Sequence, residues 1–87
     1  MSSRVRLEFD PQALEDLRYW VEDRRNATRV LRLTDECLRT PFTGSGKPEP
    51  LKHSLTGSCS RRIDREHRLV YRSEGDRLIV LACRFHY

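Results

Sequence analysis

The sequence predicts an α+β fold in which a helical hairpin packs on a four-stranded, mainly antiparallel sheet. Three observations carry that expectation: an alternating strand pattern near the start, two amphipathic stretches close together, and three strand-like runs in the last third of the chain. At 87 residues there is room for one core and little for a second, so residues 1–87 are expected to form a single domain.

The first strand is read from Arg4 to Phe9, where Val5, Leu7 and Phe9 alternate with Arg4, Arg6 and Glu8, the two-residue period of a half-buried strand. Asp10-Pro11 ends it and opens a helix. An N-cap aspartate accepts N–H groups that lack partners inside the helix, and proline is tolerated at the first helical position. The first helix is expected over Pro11–Asp23, with Leu14, Leu17, Trp20 and Val21 inward. After the charged run Glu22–Asn26, a second helix carries Ala27, Val30, Leu31, Thr34, Cys37 and Leu38 at helical spacing and stops before Pro41. Two such helices so close in sequence form a hairpin whose apolar side covers a sheet.

Glycine and proline concentrate in Thr40–Pro50, an expected ordered loop. Pro48 and Pro50 flank Glu49 and narrow the backbone choices, so its carboxylate is presented from a stiff segment. A general base benefits from that fixing. Strands are expected at about Cys59–Asp64, His67–Ser73 and Arg77–Phe85, with three-residue turns at Arg65-Glu66-His67 and Glu74-Gly75-Asp76. The second turn sets Arg68 opposite Ala82, Glu66 opposite Arg84 and Leu69 opposite Leu81. Leu69, Tyr71, Ile79, Leu81, Cys83 and Phe85 then join Ile63 beneath the helices, while Arg62, Arg68, Arg84 and His86 gather on the other face. His67 reads as structural.

The formal net charge is +4 and the sequence pI about 9.3, which favours an anionic partner. No apolar run nears the roughly 20 residues of a membrane span, and the start lacks the apolar stretch of a signal peptide, so a cytoplasmic protein without membrane partners is expected. Cys37, Cys59 and Cys83 are odd in number and far apart, and no histidine stands at zinc-ligand spacing. They are expected to be reduced thiols, with no metal site.

Arg62, Arg68, Arg84 and His86, with Lys47, Lys52 and His53 in or just after the Glu49 loop, suit a phosphodiester. Arginine donates two parallel hydrogen bonds to phosphate oxygens and stays charged. Histidine can give a proton to a leaving oxygen near neutral pH. Glutamate as base and histidine as acid make a metal-free RNase whose nucleophile is the RNA's own 2′-hydroxyl; the clustered carboxylates of a Mg²⁺ nuclease are not apparent. Tyr87 offers a face for a base to stack on.

Thr40-Pro41-Phe42, Gly46-Lys47-Pro48-Glu49-Pro50-Leu51-Lys52-His53, Ser60-Arg61-Arg62-Ile63, Glu66-His67-Arg68-Leu69-Val70-Tyr71 and Ala82-Cys83-Arg84-Phe85-His86-Tyr87 resemble the motifs of the YoeB toxins, in the RelE superfamily of bacterial toxin–antitoxin systems. The resemblance implies a RelE-like fold and a ribosome-dependent endoribonuclease that cuts mRNA in the A site without a cofactor. It makes Glu49 the base for the 2′-hydroxyl, His86 the acid for the 5′-oxygen, Arg68 the group facing the phosphate and Tyr87 the residue orienting the nucleotide. Lys47, Lys52, Arg62 and Arg84 would bind RNA phosphates. Implied partners are the ribosome with its rRNA, a YefM-like antitoxin whose tail wraps the toxin, a second copy of the chain, and operator DNA only through the antitoxin complex. The chain departs from familiar members at Ser58-Cys59, where they carry aromatics, at Thr43, where they carry an acid, and at Phe85, where they carry tyrosine. Two other readings stand beside it: a gyrase-inhibiting toxin of the same fold, which the intact Glu49, Arg68, His86 and Tyr87 argue against, and an RNA- or ribosome-binding module that presents the same basic face without cutting.

Overall fold

A computed structural model describes residues 5–52 and 57–84. The elements run β1 (Arg6–Phe9), α1 (Pro11–Tyr19), a 3₁₀ turn (Trp20–Glu22), α2 (Arg24–Arg39), β2 (Glu49–Pro50), β3 (Cys59–Arg62), β4 (Arg68–Glu74) and β5 (Arg77–Ala82). The α+β class and the helical hairpin are as expected, but the sheet has five strands, in the order β1-β5-β4-β3-β2. The added strand is Glu49-Pro50, which the sequence placed in a loop; it pairs antiparallel with β3. β1 runs parallel to β5, with Leu7 beside Leu78 and Phe9 beside Val80. No helix among the described residues is long and apolar enough to cross a membrane.

Both helices start on aspartate caps: Asp10 Oδ2 accepts from Gln12 N–H at 3.3 Å and Asp23 Oδ1 from Asn26 N–H at 3.0 Å. α2 ends at Arg39, since Thr40 precedes proline and is disfavoured in helical geometry. α1 is shorter than expected, giving way to the 3₁₀ turn after Tyr19. Its inward stripe is Ala13, Asp16, Leu17 and Trp20, whereas Leu14 and Val21 face outward. In α2, Leu33 replaces Leu31 in the core beside Val30, Thr34 and Cys37. Each large side chain so buried contributes roughly 1.5–3 kcal/mol before its entropy cost is counted.

The register between β4 and β5 also differs from the expectation. The turn is the two-residue Gly75-Asp76, which pairs Glu74 with Arg77 and Tyr71 with Val80. Gly75 takes φ 57°, the left-handed conformation that a tight hairpin demands of this position. A β-bulge between Val70 and Tyr71 then sets Val70 opposite Ala82. Leu78 and Val80, rather than Ile79 and Leu81, therefore lie with Leu69 and Tyr71 under the helices. The bulge reverses the remaining alternation, so Cys83 returns to the core. Between β3 and β4, Arg62 pairs with Arg68 and Arg61 with Leu69, two residues from the expected register. An even slip preserves the faces, and Ile63 is buried as expected.

Just past β5, α1 and the 3₁₀ turn that follows it hold the chain by both backbone groups of one residue. Asp16 Oδ2 accepts from the Cys83 N–H at 2.9 Å, and Trp20 Nε1 donates to the Cys83 carbonyl at 2.7 Å. His67 is buried edge-on against Trp20, ring centroids 4.8 Å apart, which makes it a packing residue.

Candidate active site

Pairing of β2 with β3 sets Glu49 opposite Ser60, and pairing of β3 with β4 sets Ser60 opposite Val70 and Arg62 opposite Arg68. Directly opposed residues share a face, so Glu49, Ser60, Arg62 and Arg68 stand together on the side of the sheet away from the helices. Arg68 Nη2 donates to Glu49 Oε1 at 2.5 Å and Nε to Ser60 Oγ at 2.9 Å. The carboxylate side chain is 57% exposed and the guanidinium side chain 16%. Ser60 is fully buried, so it fixes the guanidinium from beneath while the carboxylate stays open to a ligand.

What fixes Glu49 lies on the opposite face of β3. Arg61 is completely buried among Cys59, Ile63 and the helix side of the sheet. Its Nη1 donates to Glu36 Oε1 at 3.0 Å, and its Nη2 to the carbonyl of Thr43 at 2.9 Å and to that of Thr40. Nε donates to the Tyr71 hydroxyl at 3.2 Å, which itself donates to the Pro41 carbonyl at 2.5 Å. The Ser45 N–H reaches Glu36 Oε1 at 2.6 Å. One buried guanidinium thus stitches the Pro41–Ser45 loop to α2 and β3. The Ser45 N–H and hydroxyl, then the Arg61 guanidinium, hold the Glu36 carboxyl below its usual range despite some opposing burial. Burial pushes the Tyr71 phenol up to about 12. Gly44 has φ 120°, and a Cβ there would stand 2.2 Å from Glu36 Oε1, so only glycine fits the latch. The Arg62 N–H then donates to the Gly46 carbonyl at 2.7 Å, delivering the chain to Lys47, Pro48 and Glu49.

The remaining predicted residues divide. Lys47, with φ 52°, and Lys52 are exposed on either side of β2. Arg62 is exposed beside Arg68. Arg84 is set differently: its guanidinium carbon stacks 3.5 Å from the Tyr19 ring centroid, against the end of α1, because the bulge and the Cys83 clamp alter the path expected from simple alternation. His53, Phe85, His86 and Tyr87 lie outside the described residues. Arg61 and Ser60 were not singled out from sequence, although the alternation Cys59, Arg61, Ile63 puts an arginine on the core side of a strand, which is itself a signal. The thiols of Cys37 and Cys83 are pushed by burial up to about 11 and about 12, and Cys59 also upward, so all three stay protonated at neutral pH.

This arrangement can accept a proton at Glu49 and can grip an anionic oxygen at Arg68 and Arg62. A family model for the YoeB-like toxin of bacterial type II toxin–antitoxin systems matches residues 9–87. A toxin YoeB from Mycobacterium bovis is 54% identical over 80 residues, covering 91% of this chain and 94% of its own. The YoeB dimer from Staphylococcus aureus superposes with a TM-score of 0.88 at 40% identity, covering 97% of this chain and 99% of that one. The same species' YoeB–YefM complex gives a TM-score of 0.86 at 38% identity with the same coverage. By sequence along nearly its whole length and by fold, this chain belongs to the YoeB-like toxins of bacterial type II toxin–antitoxin systems.

Proposed function

We propose that the protein is a ribosome-dependent endoribonuclease that cuts mRNA in the A site by metal-free acid–base chemistry and is held in check by a YefM-like antitoxin. The observation that carries this reading is the Glu49–Arg68 pair, anchored on Ser60 and open to solvent on the sheet face. The Glu49 carboxylate is open to solvent, which screens its attraction to Arg68, so an incoming phosphate can take Arg68 and leave Glu49 free as a base. Glu49 then removes the 2′-hydroxyl proton, the 2′-oxygen attacks phosphorus, and the bond to the 5′-oxygen breaks as that oxygen takes a proton from His86. The products carry a 2′,3′-cyclic phosphate and a 5′-hydroxyl. Arg68 neutralises charge on the phosphoryl oxygens, Tyr87 orients the nucleotide, and Lys47, Lys52, Arg62 and Arg84 supply cationic surroundings. The roles of His86 and Tyr87 rest on the family resemblance.

The reading places the activity in the cytoplasm, in one domain spanning residues 1–87, with antitoxin and a second copy of the chain as protein partners, as in the Staphylococcus aureus assemblies. Primer extension on translated message tests it. The wild type is expected to give cuts placed by codon. Glu49→Gln and His86→Gln should lower cleavage by ~10²–10⁴-fold and Arg68→Ala by roughly 10²–10³-fold. Intact message with wild-type protein would reject the nuclease and favour a module that only binds.

A further inference from the structure

A cleft of about 1030 Å³ lies between α2 and the β3–β4 turn, lined by Arg24, Arg25, Arg29 and Arg32 of α2 and by Arg62 and Arg65. Arg25, Arg29 and Arg32 recur at i, i+4 and i+7, which puts them on one side of α2. Arg29 Nη2 donates to the Arg62 carbonyl at 3.3 Å and fastens this side of the helix to the end of β3. Among the described residues the one carboxylate lining the cleft is Asp64, and it is already engaged. Its Oδ2 accepts from Asn26 Nδ2 at 2.9 Å, and its Oδ1 from the N–H groups of Glu66 and His67 at 2.9 and 2.7 Å. Among the described residues none of the six arginines is ion-paired to a carboxylate, whereas Arg18, Arg39, Arg68 and Arg77 all are.

Like charges converging without partners repel one another, so the cleft works against folding and calls for an anion. Guanidinium groups present parallel donors that match phosphate oxygens. Arg62 belongs both to the cleft and to the face that holds Glu49 and Arg68, so the two surfaces are continuous. We infer that the cleft binds the phosphate backbone of the single-stranded RNA whose scissile bond lies at Glu49 and Arg68, gripping nucleotides on one side of the cut. This inference rests on the nuclease reading for the identity of the strand. An acidic peptide would feel the same charge, but the continuity through Arg62 favours the strand already lying across the catalytic pair.

The test is the salt dependence of binding to a non-cleavable 2′-O-methyl oligoribonucleotide of about twelve nucleotides, followed by fluorescence anisotropy. Removing three phosphate contacts with Arg25→Gln, Arg29→Gln and Arg32→Gln together should reduce the log–log salt slope by about 2, at roughly 0.7 per contact on a single strand. Arg65→Gln alone, on the other wall, should reduce it by about 0.7, which keeps the inference open to test if the triple variant folds poorly. Arg18→Gln with Arg39→Gln, which removes cations paired to Glu15 and Asp35, should leave the slope unchanged. Melting temperatures of the cleft variants should equal or exceed that of the wild type. Slopes that do not differ between cleft and control variants overturn the inference, as does loss of affinity for a polyglutamate peptide with an unchanged RNA slope. Primer extension in parallel keeps the two readings apart: codon-placed cuts with an unchanged slope sink the cleft alone, and a reduced slope with no cutting by the wild type sinks the nuclease alone.

Discussion

Two arginines a few residues apart on neighbouring strands do opposite jobs, and burial decides which. Arg68 reaches a carboxylate that is 57% exposed, so its pair adds little to stability and can exchange one anion for another. Arg61 is fully buried and donates to one carboxylate, one phenol and the loop carbonyls, so its removal breaks all of these contacts at once and leaves the buried Tyr71 hydroxyl without its donor. Arg61→Met is therefore expected to lower stability by about 3 kcal/mol, because unpaired buried acceptors and a lost buried ion pair each cost on that order. Arg68→Ala should cost less, about 1–2 kcal/mol in urea unfolding, from the buried Ser60 hydroxyl that loses its partner rather than from the pair with Glu49. Equal midpoint shifts for the two variants would mean that the Arg61 latch is not what holds the Pro41–Ser45 loop. Arg68→Lys keeps the charge but not the planar fork that reaches Ser60 and Glu49 together, so it should not restore activity.

Among the elements, α1 has the least obvious assignment from its sequence. It contributes a short apolar stripe, but its decisive side chains are a carboxylate and an indole that clamp the Cys83 N–H and carbonyl. Trp20→Phe keeps most of the packing and removes the donor, leaving the Cys83 carbonyl buried and unpaired, at an expected cost of about 1–3 kcal/mol by chemical denaturation. Because the clamp sits three residues before His86, cleavage should fall further than the folded fraction does; a loss that tracks the folded fraction alone would make the clamp purely structural. Strand positions and the common face of Arg62 and Arg68 were legible in the sequence because a two-residue period survives even slips of register. The β4–β5 register was not: the turn has two residues where three were expected, which puts Ile79 and Leu81 on the other side, and the bulge between Val70 and Tyr71, which obeys no periodic rule, returns Cys83 to the core and so hides the slip. Glu49 stood out through its flanking prolines, yet its strand did not, since two residues are too short to show a period. Buried Arg61 was hidden by its own type, as arginine usually reads as solvated.

Taken as a whole, the molecule carries 17 basic and 13 acidic side chains, and the two signs are used differently. Cations line the open face and the cleft, whereas key carboxylates serve as internal fasteners. Glu36 locks the loop ahead of the site, and Glu8 takes two hydrogen bonds from Arg77, at 2.9 and 3.1 Å, between the parallel strands. Hydrogen bonds hold both carboxyls below their ordinary value of 4.5, from Ser45 first for Glu36 and from Arg77 first for Glu8. A carboxyl whose folded pKa lies below its unfolded pKa binds fewer protons when folded. Its stabilisation is fully present above about 4.5 and is lost as pH falls through the folded value. Acid should therefore loosen the fold from within the latch, while the cationic face gains no compensating partner. The urea midpoint of the wild type is expected to be level from neutral pH to near 4.5 and to fall below it. Glu36→Gln should start lower at neutral pH, fall less steeply in acid, and approach the wild-type curve at the acid end. Parallel curves for the two proteins throughout that range would show that the Glu36 carboxylate does not fasten the loop that carries the chain to Glu49.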